Sequence, residues 1–166
     1  MFILIVIFSL SGCKLPWDTS DAPVPIIHIV PQNQSISLGE KFPLEIRADN
    51  VSYLFATPFY LLYDTNFLKF DSAAEGTFLN QNNMDSTTFL FSNDSTRGRI
   101  TIGLTRLGQV PGVSGSGLLM TVYFGAINKG ASNIDFANAS ARIVTENDFT
   151  PGVTTMSFIG ATINVQ

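Results

Sequence analysis

Apolar residues recur at every second position from Ile26 to the C-terminus, and clusters of Gly, Asn, Asp and Pro interrupt this alternation at short intervals. In the stretch 41–47, Phe, Leu and Ile alternate with Lys, Glu, Arg and one Pro. A period of two is the geometry of a strand with one buried face, and no stretch sustains the period of 3.6 that a helix requires. Because Pro43 cannot donate a ladder hydrogen bond, we expect its strand near a sheet edge. The pattern predicts an all-β, two-sheet antiparallel sandwich with jelly-roll topology and about nine strands.

One stretch, FYLLY, is apolar on both of its faces. Phe59, Leu61 and Tyr63 would share one face of a strand, and Tyr60 and Leu62 would share the other. A strand of this kind is either covered on both sides or lies at an interface. We therefore expect a binding surface at this strand before any other.

A hairpin is predicted over 89–105. Alternating phenylalanines lead into the polar turn 93–98, and a second alternating strand follows the turn. That second strand places isoleucines and a leucine on one face. Thr101, Gly103 and Thr105 then lie on its opposite face.

The composition argues against several classes of function. The chain has 166 residues, which is enough for one domain with a substantial core. Its formal net charge is −4, and only nine Lys and Arg are present, without a basic run, so nucleic acid is not expected as a partner. The chain contains one His and one Cys, which cannot form an internal disulfide or a zinc cluster.

The N-terminal residues form an apolar run that is too short to span a bilayer. The run ends in Leu-Ser-Gly-Cys, which resembles the bacterial lipobox, although no Lys or Arg precedes it. We expect a lipoprotein signal peptide at 1–12, a tether at 13–24 and the folded domain at 25–166. The resemblance implies that Cys13 is lipidated. The protein would then be exported and anchored to a membrane, at the outer membrane or the cell surface.

No group of residues in the sequence has the pattern of an active site. Most Asp residues lie in turns, and His28 lies in an alternating apolar stretch without a second His nearby. The Gly/Ser cluster at 114–117 lacks the Lys of a phosphate-binding loop and the Gly-x-Ser-x-Gly spacing of a nucleophile turn. The sequence therefore predicts a protein that is not an enzyme and needs no cofactor.

A structural calcium ion is the one metal that the turns could hold. Oxygen ligands are available at Asp85, or at Asn93 and Asp94, but the Asp-x-Asp-x-Asp spacing of a calcium loop is absent. We predict no metal site from the sequence and keep calcium at these turns as an alternative.

The order of several motifs matches a known family. The chain from about residue 25 to residue 166 resembles a cohesin domain, a jelly-roll module related to the bacterial carbohydrate-binding sandwiches. The motifs that carry the resemblance are ISLGEKFPL at 36–44, FYLLYD through GTFL at 59–79, GSGLLMTVYFGA at 115–126, and the closing strand GATINV at 160–165.

This resemblance implies a non-catalytic module that binds a protein partner, the dockerin, across one sheet face. In cellulosomal cohesins the strand before the Tyr-Asp pair offers polar side chains to the dockerin, whereas this chain has Ala56 and Pro58 at the matching positions. The partner-binding face implied for this chain consists of Ala56, Pro58, Tyr60, Leu62, Thr101, Gly103 and Thr105.

Two alternatives remain open from the sequence. Sandwiches of this class include carbohydrate-binding modules, and Tyr53, Tyr60 and Tyr123 are aromatic side chains that could stack on the sugar rings of a polysaccharide. The domain could also be a structural component of an envelope or secretion assembly, held in place by its anchor.

Overall fold

The computed structural model describes residues 23–81 and 86–166, and all its regular elements are β-strands. No helix in these two ranges is long and apolar enough to cross a membrane. The strands are β1 Ile26–Val30, β2 Asn33–Ile36, β3 Lys41–Leu62, β4 Leu68–Glu75, β5 Thr87–Asp94, β6 Arg99–Arg106, β7 Val113–Ala126, β8 Gly130–Ala137, β9 Ala141–Ile143, β10 Gly152–Thr154, β11 Ser157–Ile159 and β12 Ala161–Val165.

The strands form two sheets that share the long strand β3. The first half of β3 lies in the first sheet between β1 and β7, and β4 follows β7. Strand β11 runs parallel to β1 in this sheet. The second half of β3 lies in the second sheet, with β6 and β5 on one side and β8, β9 and β10 on the other. Strand β12 pairs antiparallel with β8 in this second sheet, and β2 runs parallel to β12.

The sheets pack face to face as a sandwich. The strand count depends on how interrupted strands are treated. If β3 is counted once in each sheet, and β1–β2, β8–β9 and β11–β12 are each counted as one strand, the described ranges contain nine long strands and the short β10. The predicted all-β sandwich is confirmed. Its core contains the alternate residues that the sequence pattern points inward, with Phe42, Phe59 and Phe124 among the largest fully buried side chains.

β3 passes from one sheet to the other through a kink. Asn50 and Tyr53 have φ values of 55° and 53°, in the left-handed region that non-glycine residues rarely adopt. The Oγ atoms of Ser116 and Ser114 accept hydrogen bonds of 3.1 and 2.9 Å from the backbone N–H groups of Asn50 and Tyr53. The register with β7 shifts on both sides of Val51. The Gly/Ser cluster of β7 therefore stabilises the kink in β3.

The glycines of this cluster allow the close approach. Gly115 has a φ of 118°, which a residue with a side chain rarely adopts. A Cβ atom added to Gly117 would lie 2.6 Å from the ring of Phe78, closer than real Cβ contacts allow. Both glycines are therefore required by backbone geometry and packing.

The predicted edge position of Pro43 is wrong. The strand that contains it pairs with β1 on one side and with β7 on the other. Pairing with β1 ends where Val30 lies opposite Glu45, so it does not extend to Pro43, two residues closer to the start of β3. The proline is tolerated in a central strand because the neighbouring strand on that side has already ended.

Candidate binding face

The seven residues of the expected partner-binding face lie on one outward surface of the second sheet, which we call the outer face. Its registers place Ala56 opposite Thr105, Pro58 opposite Gly103, and Tyr60 opposite Thr101. Directly opposed residues of an antiparallel pair point to the same side of the sheet. Leu62 continues the row along β3 and is opposite Arg99. The structure thus brings the seven residues together on one surface.

The outer face is wider than the sequence indicated. On one side, the register of β5 with β6 adds Thr88, Leu90 and Ser92. On the other side, Arg142 of β9 lies opposite Ala56, and Val153 of β10 lies opposite Arg142. Sequence reasoning missed Arg142 and Val153 because pairing between distant strands leaves no local signal, whereas the predicted hairpin over 89–105 already contained Leu90 and Ser92, with Thr88 next to it. The exposed Leu90, which alternates with the phenylalanines of the predicted hairpin, was the one feature that could have indicated a second apolar face.

An open depression of about 300 Å³ lies near the middle of this surface. Most of its lining is apolar, and Leu90 at its border is 67% exposed. Gly103 leaves the depression open, because a Cβ atom at this position would meet no other atom within 4 Å. The residues that line the depression are Ala56, Pro58, Thr88, Leu90, Gly103, Leu104, Thr105 and Arg142.

The end of the outer face near the β5–β6 turn is polar and already paired. The guanidinium of Arg99 lies 4.9 Å from the ring centroid of Tyr60 and 3.9 Å from Asp94 Oδ2. Asp94 Oδ2 also accepts a hydrogen bond of 3.4 Å from Arg97. These contacts fix Tyr60 as part of a cation–π pair, with its face covered by Arg99.

The same contacts bear on the calcium alternative. Asn93 Oδ1 accepts a hydrogen bond of 3.0 Å from the Tyr63 hydroxyl, and the Asp94 carboxylate faces two arginines. Neither side chain is turned toward a common ligand position. In residues 23–81 and 86–166, no three His, Cys, Asp or Glu side chains form a group that could hold a metal. Asp85 lies outside the described residues.

The other candidate residues are scattered. His28 Nε2 lies 2.8 Å from Asp49 Oδ2 in the first sheet, so the only histidine is paired with a carboxylate, away from the depression. Tyr53 lies at the β3 kink, Tyr60 on the outer face, and Tyr123 on the outward surface of the first sheet. The three tyrosines therefore form no common platform for a sugar chain. The lipobox and Cys13 lie outside the described residues.

No protein-family model and no curated protein matches the sequence. Solved structures do match. The seventh ScaB type I cohesin from Pseudobacteroides cellulosolvens superposes with a TM-score of 0.70 at 17% identity, over 86% of this chain and 92% of that chain. The chain has the cohesin fold.

Two further cohesin structures agree. A non-cellulosomal cohesin from the archaeon Archaeoglobus fulgidus gives a TM-score of 0.66 at 14% identity, over 87% of this chain and 92% of that chain. A type I cohesin–dockerin complex from Clostridium thermocellum contains a chain that matches with a TM-score of 0.69 at 14% identity, over 87% of this chain and 100% of that chain. The cohesin jelly roll thus extends over almost all of the described residues, and the resemblance seen in the sequence is confirmed at the level of the fold.

Proposed function

We propose that the chain is a non-catalytic module that binds a protein partner of the dockerin type through the outer face of its second sheet. The observation that carries the proposal is the open, mostly apolar depression in the middle of that face. Exposed apolar surface with a polar border is typical of protein–protein contacts. A matching cohesin-fold chain is part of a cohesin–dockerin complex, which supports a partner of the same kind.

The shape of the surface favours a protein over a small molecule. Sites for small molecules are concave clefts that enclose most of the ligand. Here the depression is open, and Pro58 and Leu90, which line it, are both exposed, as is Leu62 farther along β3. A small ligand would leave these apolar side chains in water, whereas a protein surface could cover all of them.

Ala56 and Pro58 indicate how the partner would be held. Cellulosomal cohesins carry polar side chains at these positions. With Ala and Pro there instead, this chain cannot form the side-chain hydrogen bonds that a cellulosomal dockerin makes with them. Ala56 is 8% exposed and lines the depression beside Pro58. We infer that apolar contact at the depression contributes most of the affinity, so that the partner differs in sequence from cellulosomal dockerins.

Substitution of Gly103 tests this proposal. Gly103→Gln places a long neutral side chain in the depression without altering the charge of the face, and its Cβ has free space. The matched control is Gly125→Gln: Gly125 also has no atom within 4 Å of an added Cβ, but lies on β7 in the first sheet. Bait proteins of the three kinds are incubated with extracts of the source organism. We expect wild type and Gly125→Gln to recover the same protein and Gly103→Gln to lose it.

Equal recovery of that protein by all three baits would overturn the proposal for this face. The melting temperature of each bait, measured beforehand, separates loss of binding from loss of folding. The partner recovered by wild type is then titrated by calorimetry against the same three baits, which turns a yes-or-no result into a ratio of affinities.

We also propose that the domain is exported and attached to a membrane through a lipid on Cys13. The proposal rests on the Leu-Ser-Gly-Cys sequence after a short apolar run, and on the position of the sole cysteine of the chain. Stable anchoring by acyl chains requires more than one chain, because a single chain gives only marginal membrane binding. A surface location would place the outer face where extracellular partners could reach it.

A further inference from the structure

Arg142 is an exposed arginine at the border of an apolar depression. Its cross-strand neighbours are Ala56 on β3 and Val153 on β10, and Val153 is 72% exposed. Neither neighbour can accept a hydrogen bond through its side chain. The charge of Arg142 therefore lies beside apolar surface on both sides.

The other charged groups on this face are differently placed. Arg99 is engaged by Tyr60 and Asp94. The ion pairs formed between described residues join other side chains, and none of them includes Arg142. Within the part of the chain that the structure describes, Arg142 is thus a cation without a carboxylate partner, next to the surface that a partner would cover.

We propose that Arg142 selects a partner that presents a carboxylate beside an apolar side chain, the apolar side chain entering the depression and the carboxylate pairing with the guanidinium. This proposal rests on the proposed function of the outer face. Arginine is suited to the role, because its planar guanidinium can donate two hydrogen bonds to one carboxylate.

The selection would act in two directions. A partner with a carboxylate at this position gains a charge-assisted pair next to apolar walls, where water is displaced. A partner without one would cover Arg142 and leave its charge desolvated and unpaired, which is costly. The arrangement therefore excludes neutral or basic competitors that would fit the depression by shape alone.

The test uses a displayed library of a small helical domain with randomised surface residues as the source of ligands. Clones are selected on the wild-type module, and those that still bind Gly103→Gln are removed. The affinities of the remaining clones are measured for wild type, Arg142→Ala, Arg142→Lys and Arg142→Glu. The control is Arg47→Ala, which removes an arginine from the first sheet.

We expect the Gly103-dependent clones to carry Asp or Glu, and to bind Arg142→Ala about tenfold more weakly than wild type. Arg142→Lys should retain part of the affinity, and Arg47→Ala should retain all of it. Replacing the ligand carboxylate by Lys should restore binding to Arg142→Glu. If Gly103-dependent clones bind Arg142→Ala as tightly as wild type, the role of Arg142 is overturned while the proposed function stands. If no clone depends on Gly103, the proposed function is overturned together with this inference.

Discussion

The Oγ atom of Ser114 accepts a hydrogen bond of 2.9 Å from the backbone N–H of Tyr53, across 61 residues of sequence. This contact holds the kink at which β3 leaves the first sheet and enters the second. Every residue of β3 on the outer face follows the kink, so the position of the face relative to the core depends on it. The cluster GVSGSG therefore stabilises the kink by which β3 passes from one sheet to the other.

Removing both serine hydroxyls should destabilise this kink. In the double variant Ser114→Ala, Ser116→Ala, the N–H groups of Asn50 and Tyr53 lose their protein acceptors. Because both contacts are exposed, water replaces part of each bond, and we expect a loss of about 1 kcal/mol in the free energy of unfolding. Urea denaturation measures the loss. Ser92→Ala, at an exposed position on β5, is the control and should change the free energy by less than about 0.5 kcal/mol.

Two glycines of the sandwich should respond in opposite ways to the same substitution. Gly103→Ala adds a Cβ into free space in a regular strand, and should leave stability unchanged or raise it by about 0.5 kcal/mol. Gly117→Ala would place the Cβ 2.6 Å from the buried ring of Phe78 and should cost about 1–3 kcal/mol. Thermal unfolding of the two variants under one set of conditions gives the comparison. A stable Gly117→Ala variant would show that the strand can move away from Phe78.

The buried hydroxyl of Thr57 lowers the stability of the fold. Its side chain is fully buried, and Oγ1 has no hydrogen-bond partner among the described residues. Thr57→Val keeps the shape and removes the unpaired polar group, so we expect a gain of about 1 kcal/mol in the free energy of unfolding. Thr57→Ser keeps the hydroxyl, removes a methyl group and should destabilise the fold. A loss of stability in Thr57→Val would mean that the hydroxyl has a partner after all, such as a buried water.

Much of the fold could be predicted from residue alternation. Ile100, Ile102 and Leu104 are buried, while Thr101 on the same strand is exposed, as a period of two requires. The prediction works because burial of one face dominates the energy of a strand, and a shift of one residue would expose every apolar side chain.

Residue alternation could not predict irregularities in strand pairing. Leu119 and Met120 are adjacent in sequence and both fully buried. The reason is a shift in register, with Met120 opposite Ile46 and Leu118 opposite Arg47, which leaves Leu119 without a directly opposed partner. A bulge of this kind depends on the neighbouring strand and cannot be read from the alternation of one strand.

The sequence predicted the central residues of the candidate binding face but not the residues at its borders. The residues on β3 and β6 followed from alternation and from the family resemblance, and their strands do pair side by side. Arg142 and Val153 join them only through strands that are distant in sequence, whereas Leu90 joins them through the β5–β6 hairpin. The charge at the border of the depression is thus a property of the tertiary structure.

Lipidation of Cys13 predicts how the protein is distributed in the cell. In the source organism, the wild-type protein should be found in the membrane fraction and should incorporate radiolabelled palmitate. Cys13→Ala lacks the thiol to which a lipid is attached, and should lose the label and shift to the soluble fraction. Retention of Cys13→Ala in the membrane fraction, with no label on the wild type, would contradict a lipid anchor.

Photo-crosslinking from the outer face tests the proposed binding surface most directly. A photoreactive benzoylphenylalanine is introduced in place of Leu90, or in place of Tyr123, which is 37% exposed on the opposite sheet. Each protein is irradiated in an extract of the source organism. We predict a discrete crosslinked product from position 90, suppressed by excess wild-type module but not by excess Gly103→Gln, and no such product from position 123. A product from position 123 with none from position 90 would contradict binding through the outer face.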